Sequence, residues 1–186
     1  MGIGTGMSSP ARAVFLDRDG VLNRAIVREG KPYPPSSVAE MEIVPGAASS
    51  LARLKDLGFL LLVVTNQPDV ARGAQTLDVI QAMHDVMRQT LPIDNFFVCP
   101  HDDRDGCRCR KPAPGMMIEA QQRYGIDLSR SFLVGDRWRD IDAGRAAGCR
   151  TVYLDFHYEE RGPSAPPDAC VGSLADAVDW IVRNAG

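Results

Sequence analysis

Short apolar runs, each ending in polar residues, alternate along this chain with stretches of helical spacing, and that alternation constrains the fold more than any other feature. Val14-Phe15-Leu16 leads into Asp17, and Phe59 to Val64 leads into Thr65-Asn66-Gln67. Phe96 to Cys99 leads into a cysteine-rich loop, and Phe132-Leu133-Val134 leads into Gly135-Asp136. Between them Ala48, Leu51 and Leu54 form an apolar stripe that ends before Gly58, and Ile80, Met83 and Met87 follow Thr76 as a helix cap. Gly125 and Gly148 stand where later helices should stop, and Ser173 with Asp176 opens the last one. Strands alternating with helices imply an α/β fold with a central parallel sheet. In such a sheet ligands bind outside the carboxyl ends of the strands, so these polar ends are expected to meet on one rim.

A chain of 186 residues suits one compact domain. Its net charge of -3 offers no overall attraction to nucleic acid or anionic lipid, so anion chemistry must come from a local site. The longest apolar run, Phe59 to Val64, falls far short of the ~20 residues that cross a bilayer. Residues 1–10 read as a flexible leader without the basic start and apolar centre of a secretory signal, and a cytoplasmic monomer is expected. The cysteines are odd in number and three crowd between Cys99 and Cys109, which fits a metal site in a reducing compartment better than a disulfide framework. The segments from Arg24 to Pro45 and from Glu159 to Pro167 read as long loops without regular structure, the first bordering the site and the second a connector. His84 and His157 read as surface or packing residues, Cys149 and Cys170 as buried small hydrophobes, and Trp138 as either packing or substrate contact.

Asp17-Arg18-Asp19-Gly20 places two carboxylates two positions apart after a strand, so that both point the same way if the strand geometry continues. One carboxylate can attack while the other handles protons; standing alone, the motif reads more readily as a turn with solvated acids. The other strand ends add a hydroxyl at Thr65, a cation at Lys111, and oxygen ligands at Asp136 and Asp140. These are the parts of a phosphoryl-transfer site, and hard oxygen donors suit magnesium. Asp140 is either part of the metal shell or an acid favoured at a helix N-terminus.

From Val14 to about Leu154 the sequence resembles the haloacid dehalogenase superfamily of phosphohydrolases. The motifs stand in order: Val14 to Gly20, Val63-Val64-Thr65-Asn66, Lys111-Pro112, and Gly135-Asp136 with Asp140. The resemblance implies a three-layer Rossmann-like domain in which Asp17 becomes an aspartyl phosphate and Asp19 serves as acid and then base. It further implies that Thr65 and Lys111 hold the phosphoryl group, and that Asp17, Asp136 and the backbone carbonyl of Asp19 bind magnesium. No large cap domain is expected, since neither long loop could build one.

Cys99-Pro100-His101 followed by Cys107-Arg108-Cys109 offers three thiolates and an imidazole, a closed tetrahedral set suited to structural zinc; the tight Cys-x-Cys spacing also leaves redox-active thiols open. This loop, continuing into Arg110-Lys111-Pro112, is similar to the branch of the superfamily that contains the heptose bisphosphate and histidinol-phosphate phosphatases. The Thr65-Asn66-Gln67 and Ala71-Arg72-Gly73 segments resemble the heptose enzymes, which implies a small phosphorylated sugar as substrate and contacts to it from Asn66, Gln67, Arg110 and Arg137. Pro68-Asp69 and the Arg24 to Pro45 loop depart from that pattern, and histidinol phosphate is the alternative substrate. A zinc-stabilised binding module without turnover is the rival of another class; the acidic balance and the intact aspartate pair stand against it.

Overall fold

The computed structural model describes residues 10–186, so the expected leader, apart from Pro10, lies outside the described residues. The strands are β1 (Arg12–Leu16), β4 (Phe59–Asn66), β5 (Asn95–Cys99), β6 (Phe132–Gly135), β7 (Arg150–Leu154) and β8 (Ala169–Val171), with a separate hairpin β2 (Ile26–Arg28) and β3 (Lys31–Tyr33). The helices are α1 (Ala47–Asp56), α2 (Leu77–Thr90), α3 (Gly115–Tyr124), α4 (Trp138–Ala147) and α5 (Leu174–Asn184). Six strands form one sheet in the order β5-β4-β1-β6-β7-β8, and every pairing in it is parallel. The chain builds outward on one side of β1 and then returns to build outward on the other. The carboxyl end of β1 therefore lies at the switch in strand order, where such sheets bind their ligands.

Side chains alternate across the sheet with period two and feed a core on each face. Val14, Leu16, Leu61 and Val63 pack under α1 and α5 through Leu51, Leu54, Val178 and Ile181. Ala13, Phe15, Leu62 and Val64 pack under α3 and α4 through Met116, Met117, Ala120 and Ala143. Helix ends follow their capping residues: the Thr76 side chain accepts from Val79 N, Ser173 accepts from Asp176 N, and Gly125 and Gly148 close α3 and α4 in the left-handed conformation. No helix among the described residues is long and apolar enough to cross a membrane.

The structure corrects the expectation of two irregular loops. Arg24 to Pro45 contains the β2–β3 hairpin and a short 3-10 turn at Val38–Glu40. The Glu159 to Pro167 connector reaches the site described below through Glu160. Cys170 is exposed rather than buried, because it lies on β8 at the edge of the sheet, where no further strand covers it.

Candidate active site

The site starts where β1 stops. Asp17 N donates to Val134 O at 3.0 Å, which keeps the chain paired to β6 one residue beyond the strand. The backbone then turns sharply: Leu22 N and Asn23 N both donate to Arg18 O, and Gly20 sits at φ 91°. A methyl group at Gly20 would collide with Oδ2 of Asp136. Glycine is required both for the turn and for the close approach of that carboxylate.

Lys111 joins the strand ends. It is 2 % exposed, and its Nζ donates to Asp17 Oδ1 at 2.8 Å and to Val64 O at 2.7 Å, while Asp140 Oδ1 lies 2.5 Å away. Burial works to lower the Lys111 pKa, but the Asp140 and Asp17 charges outweigh it and hold the group above its ordinary value, as ammonium. Asp140 also accepts from Arg137 N at 3.0 Å at the start of α4. It both caps that helix and anchors the lysine, so the helix-terminal alternative holds together with a place beside the acids. Asn66 clasps the Lys111 backbone, its Nδ2 donating to Lys111 O and its Oδ1 accepting from Lys111 N, each at 3.0 Å.

Asp17, Asp136 and Asp140 each offer an oxygen within 4.8 Å of the others. Burial pushes Asp17 up to about 6; Lys111 opposes the shift, and Asp140 and Asp19 add to it. Burial, then the charges of Asp17 and Asp140, hold Asp136 well above the usual carboxylate range. Both oxygens of Asp136 are buried without a hydrogen bond of good geometry, and the neighbouring Tyr158 hydroxyl only partly offsets the upward shift of its pKa. Such a group needs an explanation, and a hard divalent cation among oxygen donors supplies it. The donor set fits magnesium.

Thr65 is buried, and its Oγ1 accepts from Gln67 Nε2 at 2.8 Å. Gln67 Nε2 also donates to Asp19 Oδ2 at 2.9 Å. A cavity of about 390 Å³ opens above Asp17, Asp19 and Lys111 and is lined by Asn66, Arg110 and Arg137, but not by Gln67. Gln67 faces the acid instead of the cavity because its side chain is buried beneath it. Arg110 donates to Asp103 at 2.7 Å, and Arg137 is tied to Glu160. Trp138 packs against the guanidinium groups of Arg139 and Arg161 and does not line the cavity.

Beside the cavity, Cys99, His101, Cys107 and Cys109 converge. Cys109 Sγ lies 3.1 Å from Cys99 Sγ and 3.4 Å from Cys107 Sγ, and His101 Nδ1 lies 3.3 Å from Cys109 Sγ. Zinc–sulfur bonds of about 2.3 Å span a tetrahedron whose edges are roughly 3.8 Å, close to this spacing. Burial works to raise the Cys107 thiol, but the Arg110 N–H and the neighbouring thiols donate to its sulfur and bring it down to about 7. The set fits a closed zinc site.

Lys31, Pro32, Tyr33 and Pro34 line the cavity from the hairpin, within the segment expected to border the site. Glu160 arrives from the connector, which has no apolar periodicity that could have placed it there.

Comparison with known proteins agrees with this geometry. A family model described as HAD-hydrolase-like matches residues 108–177. A D-glycero-β-D-manno-heptose-1,7-bisphosphate 7-phosphatase of Pseudomonas aeruginosa is 38% identical over 146 residues, 76% of this chain and 79% of that protein. The chain belongs to the haloacid dehalogenase-like (HAD) hydrolases. An Escherichia coli K12 protein of the same name is 32% identical to this HAD hydrolase over 190 residues, 96% of this chain and 92% of that one. The crystal structure of a D,D-heptose 1,7-bisphosphate phosphatase from B. bronchiseptica, complexed with magnesium and phosphate, superposes with a TM-score of 0.77 at 30% identity and covers 93% of this chain and 99% of that one. This HAD hydrolase is a phosphatase, and no large cap domain is present among the described residues.

Proposed function

We propose that this HAD phosphatase removes the 7-phosphate of D-glycero-D-manno-heptose 1,7-bisphosphate through an aspartyl-phosphate on Asp17. The observation that carries the reading is the pairing of Asp17 with Lys111 at 2.8 Å beside an Asp136 whose buried oxygens lack a hydrogen bond of good geometry. The relatives' substrate, together with coverage of most of their length, supports the heptose.

Asp17, Asp136 and the backbone carbonyl of Asp19 would hold magnesium, and Cys99, His101, Cys107 and Cys109 would hold structural zinc. Bound magnesium would offset negative charge so that a carboxylate and a phosphate can approach. Asp17 attacks phosphorus, the bond to the sugar oxygen breaks, and Asp19 gives that oxygen a proton. Water then attacks the phosphorus, its proton goes to Asp19, and the phosphorus–oxygen bond to Asp17 breaks to regenerate the carboxylate. Lys111 and Thr65 hold the transferring oxygens, and Asp140 keeps Lys111 in place. Asn66 borders the substrate, and Arg110 and Arg137 reach its distal group by exchanging their acid partners for it. The reading takes the chain as a cytoplasmic monomer with no nucleic-acid or membrane partner.

Asp17→Asn is expected to abolish turnover while circular dichroism and zinc content stay unchanged; substantial residual hydrolysis would reject the covalent route. Rates on heptose bisphosphate anomers, histidinol phosphate and simple sugar phosphates, compared side by side, test the substrate. Preference for histidinol phosphate would reject the heptose assignment.

A further inference from the structure

We propose that Arg18, backed by His84, is a positioning residue for Asp19 that fixes its carboxylate for the second half-reaction, hydrolysis of the phosphoenzyme. The inference rests on the phosphatase reading above.

Arg18 is the largest fully buried side chain among the described residues, with 0 % exposure. A guanidinium taken out of water is costly unless its N–H groups find partners. Its Nε lies 3.1 and 3.2 Å from Asp19 Oδ1 and Oδ2, and its Nη2 lies 3.0 Å from Oδ2. On the far side, Nη1 lies 3.4 Å from Nε2 of His84. A guanidinium has no lone pair, so the imidazole nitrogen facing it must be the acceptor and the ring proton sits on Nδ1. His84 is itself 1 % exposed and stacks on Phe96 with centroids 4.2 Å apart. Burial, then the Arg18 charge, lowers its pKa to about 3, which keeps it neutral and able to accept.

Asp19 receives only donors. Besides Arg18, Asn23 Nδ2 donates to Oδ1 at 3.1 Å and Gln67 Nε2 donates to Oδ2 at 2.9 Å. Bonds from three side chains to the two oxygens fix the plane of the carboxyl group. Held in that orientation, Asp19 takes the proton from water when the bond between phosphorus and Asp17 breaks. Proton donation to a leaving group belongs to the first half-reaction, and a leaving group that needs no proton bypasses it. Loss of Arg18 should therefore slow hydrolysis of the phosphoenzyme more than its formation.

The probe is p-nitrophenyl phosphate, whose phenolate leaves without help from an acid. In Arg18→Met the steady rate is expected to fall at least about tenfold, with a burst approaching one phenolate per chain that the wild type lacks. Arg18→Lys should recover part of the steady rate. His84→Phe, which removes the acceptor behind Arg18, should show the same burst, and His84→Gln, which keeps an acceptor, should not. General structural damage would lower burst and steady rate together, and that pattern in a folded Arg18→Met would overturn the inference, as would turnover within twofold of the wild type. If Arg18→Met fails to fold, the His84 pair decides: a burst in His84→Phe alone supports the inference, and identical kinetics in the two variants overturn it. Acid quenching with 32P-labelled substrate separates the two readings. No label on Asp17 in any of these proteins would overturn the covalent reading itself, whereas label with unchanged hydrolysis would overturn only the role of Arg18.

Discussion

Gly20 is the residue at which one added carbon should do the most harm. Its φ of 91° lies in the left-handed region, where a side chain costs roughly 1–2 kcal/mol, and a methyl there would meet Asp136 Oδ2. Gly20→Ala is expected to displace that carboxylate and lower kcat/KM by roughly 100-fold, with a smaller effect on stability; steady-state kinetics and a magnesium titration check this. His84 should govern acid stability. Its pKa is 6.5 in the unfolded chain and about 3 in the fold, so between those values the unfolded state binds more protons and stability is lost as the pH falls. The loss should approach ~1.4 kcal/mol per pH unit on that limb and vanish above pH ~7. Urea unfolding at a series of pH values should find a shallower slope in His84→Gln.

At the scale of elements, the cysteine loop carries the chemistry's cation. Cys99 ends β5, Cys107 and Cys109 lie on the segment that leads into Lys111, and Arg72 on the preceding loop is tied to Asp102 at 2.9 Å. On the proposal that this loop holds zinc, a chelator is expected to lower Tm and activity together, and adding zinc under reducing conditions should restore both; scanning calorimetry and turnover on the same samples test it. Leu54 in α1 is 0 % exposed, so Leu54→Ala should cost about 2–5 kcal/mol in denaturant unfolding without changing KM. The inner strands β1, β4 and β6 were legible because they are buried on both faces and read as unbroken apolar runs. Strands β7 and β8 were not, because Arg150, Tyr153 and Cys170 interrupt the pattern toward the sheet edge. The hairpin was invisible for a related reason: Val27, Lys31 and Tyr33 are exposed and follow no buried alternation.

Across the whole molecule, catalysis and stability pull in opposite directions at one point. Asp17, Asp136 and Asp140 crowd together at 7 %, 0 % and 1 % exposure, with Lys111 as the buried counter-charge among them and the Arg137 guanidinium acting on Asp136 and Asp140 from the cavity side. Asp136→Asn is expected to raise Tm in the absence of magnesium and to remove the magnesium-dependent rise that the wild type should show, about 2.7 kcal/mol at 100 times Kd. Turnover should be lost in the same variant. Asp17, Asp19, Thr65 and Lys111, the proposed reacting groups, were legible because each ends a strand or sits in a fixed motif. The supports were not: Arg18 and Asn23 reach Asp19 from one and four residues away only through the local turn, and Arg18 with His84 and Arg137 with Glu160 meet across segments distant in sequence. The mouth of the cavity has its own consequence. Arg72 faces Asp69 and Asp102, Arg110 and Arg139 share Asp103, and Arg137 holds Glu160. Among the described residues, Lys31 alone of the cavity's exposed cations has no acid partner, so to reach the guanidinium groups an arriving anion must swap places with a resident acid. Capture by exchange should be almost indifferent to ionic strength, unlike the long-range electrostatic funnelling that a naked ring of guanidinium groups would produce.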